Sequence, residues 1–198
     1  MTEHNARAIL KLRELFSFPE TKPDVPFDAG GWLQPENAEV LKSFLSINTQ
    51  VVLEVGTWYG LSARNICDIA PNATIVCIDT WLGSFEHIMA GMRVSTLFEI
   101  FLSSCWDYRQ RIVPVRVDSY TGLKISNHFG LRPELVYIDG GHEHRTVYND
   151  IMSTIDYFPE TIIVGDDLDW PSVAGAVKDT TEATGKKVYF KGHCWWLE

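Results

Sequence analysis

Apolar and polar positions change period many times along this chain, and the changes mark its elements. Residues 6–16 place Ile9, Leu12, Leu15 and Phe16 at helical spacing, and the proline-rich stretch 18–31 breaks that pattern. A second helical face, Val40, Leu41, Phe44 and Leu45, follows Pro35-Glu36-Asn37, where an early proline and an acid suit a first turn. Beyond it, short apolar runs at 51–55, 74–79, 112–117, 135–139 and 161–165 alternate with helical patterns at 62–70, 93–106, 119–129, 142–158 and 172–183. Such alternation predicts an α/β fold with a doubly wound, mainly parallel sheet. The runs 187–190 and 194–197 are joined too closely for a crossover helix, so they are expected to form an antiparallel hairpin at one edge. One domain is expected over 1–198, with 1–48 a helical cap and 49–198 the core.

Composition agrees with a single packed domain: 198 residues, 45% of them apolar. The formal charge of -9, with no lysine and arginine block, argues against a nucleic-acid partner. No run reaches the roughly 18 apolar residues of a membrane span, so no membrane partner and a cytoplasmic location are expected. Cys67, Cys77, Cys105 and Cys194 lack CxxC spacing and sit among apolar residues, as buried reduced thiols do.

The most informative stretch is 51–60, an apolar run passing into Glu54-x-Gly56-x-x-x-Gly60. It reads as a buried strand turning into a small-molecule cradle, and Asp79 at the tip of the next strand is placed to hold ribose hydroxyls. Dinucleotide folds carry a glycine where this chain has Glu54, because a pyrophosphate must approach there. A carboxylate repels a pyrophosphate and attracts an amino group, which favours S-adenosylmethionine over NAD or ATP. The other strand tips are also acidic, at Asp118, Asp139 and Asp166-Asp167.

Taken in series, Gly31-Trp32 with Pro35-Glu36-Asn37-Ala38, Leu53-Glu54-Val55-Gly56 through Gly60-Leu61-Ser62, Ile78-Asp79-Thr80-Trp81, Val117-Asp118-Ser119, Tyr137-Ile138-Asp139-Gly140-Gly141-His142 and Val164-Gly165-Asp166-Asp167 resemble the class I S-adenosylmethionine-dependent methyltransferases. The resemblance is to the small O-methyltransferase branch that contains the macrocin-type sugar enzymes. It implies a Rossmann-like seven-stranded sheet with an antiparallel seventh strand. It also implies that Glu54, Gly56 and Gly60 surround the methionine part of the cofactor, with Thr57, Ser62 and Thr80 among the cofactor-binding residues. Asp79 would take the ribose, Asp118 and Ser119 would lie at the adenine, and Trp81 would form an apolar wall beside it.

By the same resemblance Asp139, Asp166 and Asp167 would hold a divalent cation such as Mg2+, a hard ion suited to carboxylate oxygens. His142, where catechol-type relatives carry lysine, would be the general base beside Asp139, since an imidazole titrates near neutrality. Two structural roles compete: Asp167 or Asp169 as the cap of the helix near 170–172, and His142 as a cap or orienting group for its own helix. The polar end of 82–110, with Ser84, His87, Met89 and Met92, reads as a lid, and Trp58-Tyr59 as a wall of the acceptor pocket. The function expected is methyl transfer from S-adenosylmethionine to a hydroxyl of a small molecule, a sugar, phenolic or other metabolite. The alternatives are a cofactor-binding sensor or accessory protein without catalysis, and a nicotinamide-dependent oxidoreductase. The aromatic N-terminal residues Phe16, Phe18, Phe27 and Trp32 suit a flap or a homodimer contact.

Overall fold

The computed structural model describes residues 1–25, 30–92 and 94–198, so Phe27 and the expected helix start at Arg93 lie outside the described residues. Seven strands form one sheet in the order β3-β2-β1-β4-β5-β7-β6. The strands are β1 Val51–Val55, β2 Thr74–Asp79, β3 Ile112–Arg116, β4 Leu135–Ile138, β5 Ile162–Gly165, β6 Val188–Lys191 and β7 Cys194–Leu197. The first five are mutually parallel. β7 runs antiparallel to both β5 and β6, as the short 187–197 connection requires.

Alternation along the strands builds two cores. Val51, Leu53 and Val55 join Ala8, Leu12, Leu123, Val147, Ile151 and Val177 on one face. Val52, Ile75, Cys77 and Tyr137 join Leu41, Ala63, Ile66 and Phe101 on the other. Helices α1 (Glu3–Leu15), α6 (Ser119–His128), α7 (His144–Tyr157) and α8 (Pro171–Thr184) therefore cover one face, and α2 (Pro35–Phe44), α3 (Leu61–Ile69) and α5 (Leu97–Ser104) the other. The N-terminal helices straddle the sheet, α1 on one side and α2 on the other.

Local chemistry sets the helix limits. Pro35 opens α2 and Pro171 opens α8, where the missing amide hydrogen costs nothing. Segment 93–106 holds a shorter helix than its periodicity predicts: α5 begins after Thr96, and a 3-10 turn at Trp106–Tyr108 replaces its expected end. Ser95 and Thr96 favour caps over helix interiors. The short helix α4, Phe85–Met89, occupies the expected lid. Phe18 packs against Phe101 and Trp106, at ring distances of 6.4 and 6.2 Å, while Trp32 remains 54% exposed. All four cysteines are buried and free. Among the described residues, no helix is long and apolar enough to cross a membrane.

Register aligns the strand ends. Val55 lies opposite both Ile78 and Ile138, and Ile138 opposite Gly165. The next residues, Gly56, Asp79, Asp139 and Asp166, consequently share one rim, and the order reverses between β1 and β4 at the same place. Ligands of open α/β sheets bind at such a point.

Candidate active site

A cavity of about 680 Å³ opens at this rim, within the range of small-molecule sites. Gly56, Thr57, Ser62, Asp79, Thr80, Asp118, Ser119, Asp139, His142, Asp166 and Asp167 all line it. Three expected cofactor residues do not. Gly60 opens α3 at φ 79, and a side chain there would meet Cys105 Sγ at 2.3 Å, so it serves packing against α5. Trp81 is 1% exposed and lies in the core against Phe98 and Phe101, with ring distances of 4.8 and 4.6 Å, so it forms no wall of the cavity.

Glu54 is the third. Strand alternation turns it toward α3, where it is completely buried and its Oε2 accepts from the Cys77 thiol at 3.6 Å. Burial pushes its carboxyl up to about 7, against the pull of the polar side chains of Ser62, Cys77 and Thr57. It therefore supports the glycine turn from beneath.

On the β1–β2 side, Asp79 organises the turn. Its Oδ2 accepts from the amides of Thr57 and Trp58, at 2.9 and 3.0 Å, and its Oδ1 from that of Trp81, at 2.7 Å. Trp58 and Trp81 both adopt left-handed backbone, at φ 50 and 49, a conformation costly for bulky residues. The Trp81 indole also donates to the Trp58 carbonyl at 2.9 Å. One carboxylate thus stabilises two strained tryptophans. Above them Trp58 stacks on His87 at 4.1 Å and meets Trp32 at 5.4 Å, which joins the N-terminal arm to the lid. Asp118 caps α6, accepting from the Thr121 amide at 2.9 Å and its hydroxyl at 2.7 Å, and these bonds hold its carboxyl below the usual range.

The β4–β5 side is acidic. Asp139, Asp166 and Asp167 each direct one ligand atom to a common point, all within 4.8 Å of one another. Burial first, and the charges of Asp166 and Asp167 next, push the Asp139 carboxyl well above its ordinary value. Asp166 is raised by burial as well, opposed by the nearby side chain of Asn37, on α2, which donates to the Tyr137 hydroxyl at 2.8 Å. Asp167, left-handed at φ 61, donates its amide to Asp166 Oδ1 at 2.7 Å. It does not cap α8: the N-cap is Trp170, and no side chain caps that helix.

His142 lies in the loop before α7, whose N-cap is Glu143. Its Nε2 is 2.9 Å from Asp167 Oδ2, and its ring packs on Trp170 at 4.5 Å. His144 turns away to Asp179 at 3.0 Å. His193, in the β6–β7 turn, meets Asp169 at 2.9 Å and also lines the cavity.

The cavity has room for a nucleoside with an amino-acid tail at the β1–β3 end and for a second molecule at the β4–β5 end. The three crowded carboxyls suit a hard cation, which would relieve the repulsion that helps raise Asp139 and Asp166. Four lining residues escape the sequence reading: Gln34, Thr146, Asp150 and His193. Asp150 was findable, because it falls with Val147, Ile151 and Thr154 on the buried face of α7.

Known proteins bear on this geometry. Residues 53–168 match a family model described as a methyltransferase domain. A comparison with curated protein sequences returned no match. Among solved structures, the calicheamicin methyltransferase CalS11 aligns with all of this chain and 93% of its own, at 14% identity and a TM-score of 0.59. A Staphylococcus aureus protein assigned as a caffeoyl-CoA O-methyltransferase covers all of this chain and 93% of its own, at 11% identity and TM-score 0.60. Fibrillarin from Aeropyrum pernix, solved with natively bound S-adenosyl-L-methionine, covers 81% of this chain and 71% of its own, at 14% identity and TM-score 0.55. These likenesses establish the shared fold, and the family match spans more than half of the sequence: the chain belongs to the methyltransferase-domain family and is an S-adenosylmethionine-dependent methyltransferase.

Proposed function

We propose that this methyltransferase acts on a hydroxyl oxygen of a small molecule, with Asp139, Asp166 and Asp167 holding a divalent cation such as Mg2+ beside the acceptor. The observation that carries the reading is the convergence of three carboxylates at the tips of β4 and β5, in the cavity that also holds the glycine turn. The activity of CalS11, a TDP-rhamnose 3′-O-methyltransferase, supports oxygen as the acceptor atom. When bound, the cation would supply Lewis acidity and orientation to the acceptor hydroxyl.

The chain's own residues divide the remaining work. The turn fixed by Asp79 positions the methyl donor, and Thr57, Thr80 and Ser119 line its pocket. His142, oriented by Asp167 and Trp170, is the base that takes the acceptor's proton. With the donor bound, its methyl group would pass from sulfur to the acceptor oxygen, the bonding pair staying on sulfur and the hydroxyl proton going to His142. Trp58, Tyr59 and the lid around His87 exclude water from this exchange.

Calorimetric titration with S-adenosylhomocysteine, with Mg2+ and with a chelator, tests the reading. Binding in both conditions is expected. Magnesium should also raise the melting temperature of the wild type and not of Asp166→Ala, while donor affinity changes by less than about twofold between them. A magnesium shift retained by Asp166→Ala would remove the metal assignment and leave methyl transfer standing.

A further inference from the structure

Asp118 is the carboxylate expected at the adenine, yet both of its oxygens are engaged by Thr121 as a helix cap. A second carboxylate lies at the same end of the cavity. Asp150 projects from α7, is 3% exposed and lines the cavity together with Ser119, Thr146 and Val117. Among the described residues it has no cationic partner: the Ser119 side chain beside it favours its charged form, and the like charge of Asp118 opposes it. Its carboxyl is pushed up to about 6, chiefly by burial. A carboxylate is costly to bury unless something pairs with it, and the open side of Asp150 is the cavity.

Acceptor chemistry dominates here. If the Ser119 hydroxyl donates its proton to Asp150, its remaining capacity toward the cavity is two lone pairs. Asp150 and Ser119 then present oxygens with no hydrogen to give. Such a pair matches a group that only donates, and the adenine ring carries one, its exocyclic amine.

We propose that Asp150, with Ser119, is the purine-reading element of the donor pocket, selecting a base with an exocyclic amine over one with a carbonyl at that position. The inference rests on S-adenosylmethionine as donor and names a residue that reads it. A carbonyl in place of the amine sets an acceptor against these oxygens and removes the hydrogens they would take there, a loss that binding can detect.

The test compares, by calorimetry, two ligands that differ only along one edge of the base: S-adenosylhomocysteine, with an amine beside a bare N1, and S-inosylhomocysteine, with a carbonyl beside an N1–H. Wild type should prefer the adenine compound by at least about tenfold. Asp150→Asn keeps the shape and supplies an amide that can donate to a carbonyl, so the preference should collapse toward unity. Ser119→Ala leaves the buried carboxyl in place and should lower the preference severalfold, which decides the matter if Asp150→Asn fails to fold. Tight binding of S-adenosylhomocysteine with the preference unchanged in the folded variants would overturn the role of Asp150 while the donor assignment survives. Wild type that binds neither ligand would overturn both.

Discussion

The two ends of the cavity handle their carboxylates in opposite ways. At the β1–β3 end the acids are already partnered: Asp79 takes three backbone amides and Asp118 takes both hydrogens of Thr121. At the β4–β5 end Asp139, Asp166 and Asp167 face one another, and repulsion with burial raises Asp139 and Asp166. One end is organised before any ligand arrives. The other leaves its carboxylates converging on one point, the arrangement that the proposed cation would relieve.

Gly56 joins the two ends and offers the largest perturbation. A β-carbon at this position, φ 81, would meet the Asp139 carbonyl oxygen at 2.1 Å. Gly56→Ala is expected to cost about 4 kcal/mol, by strain and by forcing β1 from β4, in chemical denaturation. Both ends should fail together in it.

Next comes acidity. Glu54 is held near 7 in the fold against an ordinary 4.5. A raised carboxyl binds its proton more tightly folded than unfolded, so stability is highest below the unfolded value and falls as pH climbs from about 4.5 through about 7. The loss is on the order of 3 kcal/mol. Glu54→Gln should flatten that slope in urea denaturation between pH 5 and pH 8, and a slope equal to wild type would exclude Glu54 as its source.

Asp79→Ala sharpens the contrast directly. It releases the amides of Thr57, Trp58 and Trp81 and the strained tryptophans they hold, and should weaken S-adenosylhomocysteine by about 30-fold, or about 2 kcal/mol. Equal affinity would refute its organising role. The smallest effect belongs to Thr121→Val, which removes one bond to Asp118 and should cost about 1 kcal/mol of stability with donor affinity nearly unchanged. A large loss of affinity there would mean that Asp118 serves the ligand more than the helix.

The same division governs what the sequence made legible. The mainly parallel sheet, the terminal hairpin and the acidic strand tips follow from alternation and spacing, which are local signals, whereas the strand order is set by long-range pairing. Asp139, Asp166 and Asp167 were readable because each ends an apolar run. Trp81 and Glu54 were misplaced because their motif positions carry no record of side-chain direction: a left-handed turn at residue 81 and the pleat at residue 54 send both into the packed layer over α3 and α5. Asp150 escaped notice because an isolated aspartate in a helix reads as solvent-facing until the burial of Val147 and Thr154 fixes that face. His193 gave no signal, since only the reversal at β7 brings residue 193 to Asp169.

The tryptophans make this divided cavity self-reporting. Trp58 stands at the donor end beside His87, and Trp170 at the acidic end against His142. Indole emission responds to the polarity around the ring, so each end carries its own fluorophore. Single Trp58→Phe and Trp170→Phe proteins would assign an optical change to one end or the other, letting the order in which donor, cation and acceptor arrive be followed without attaching a dye.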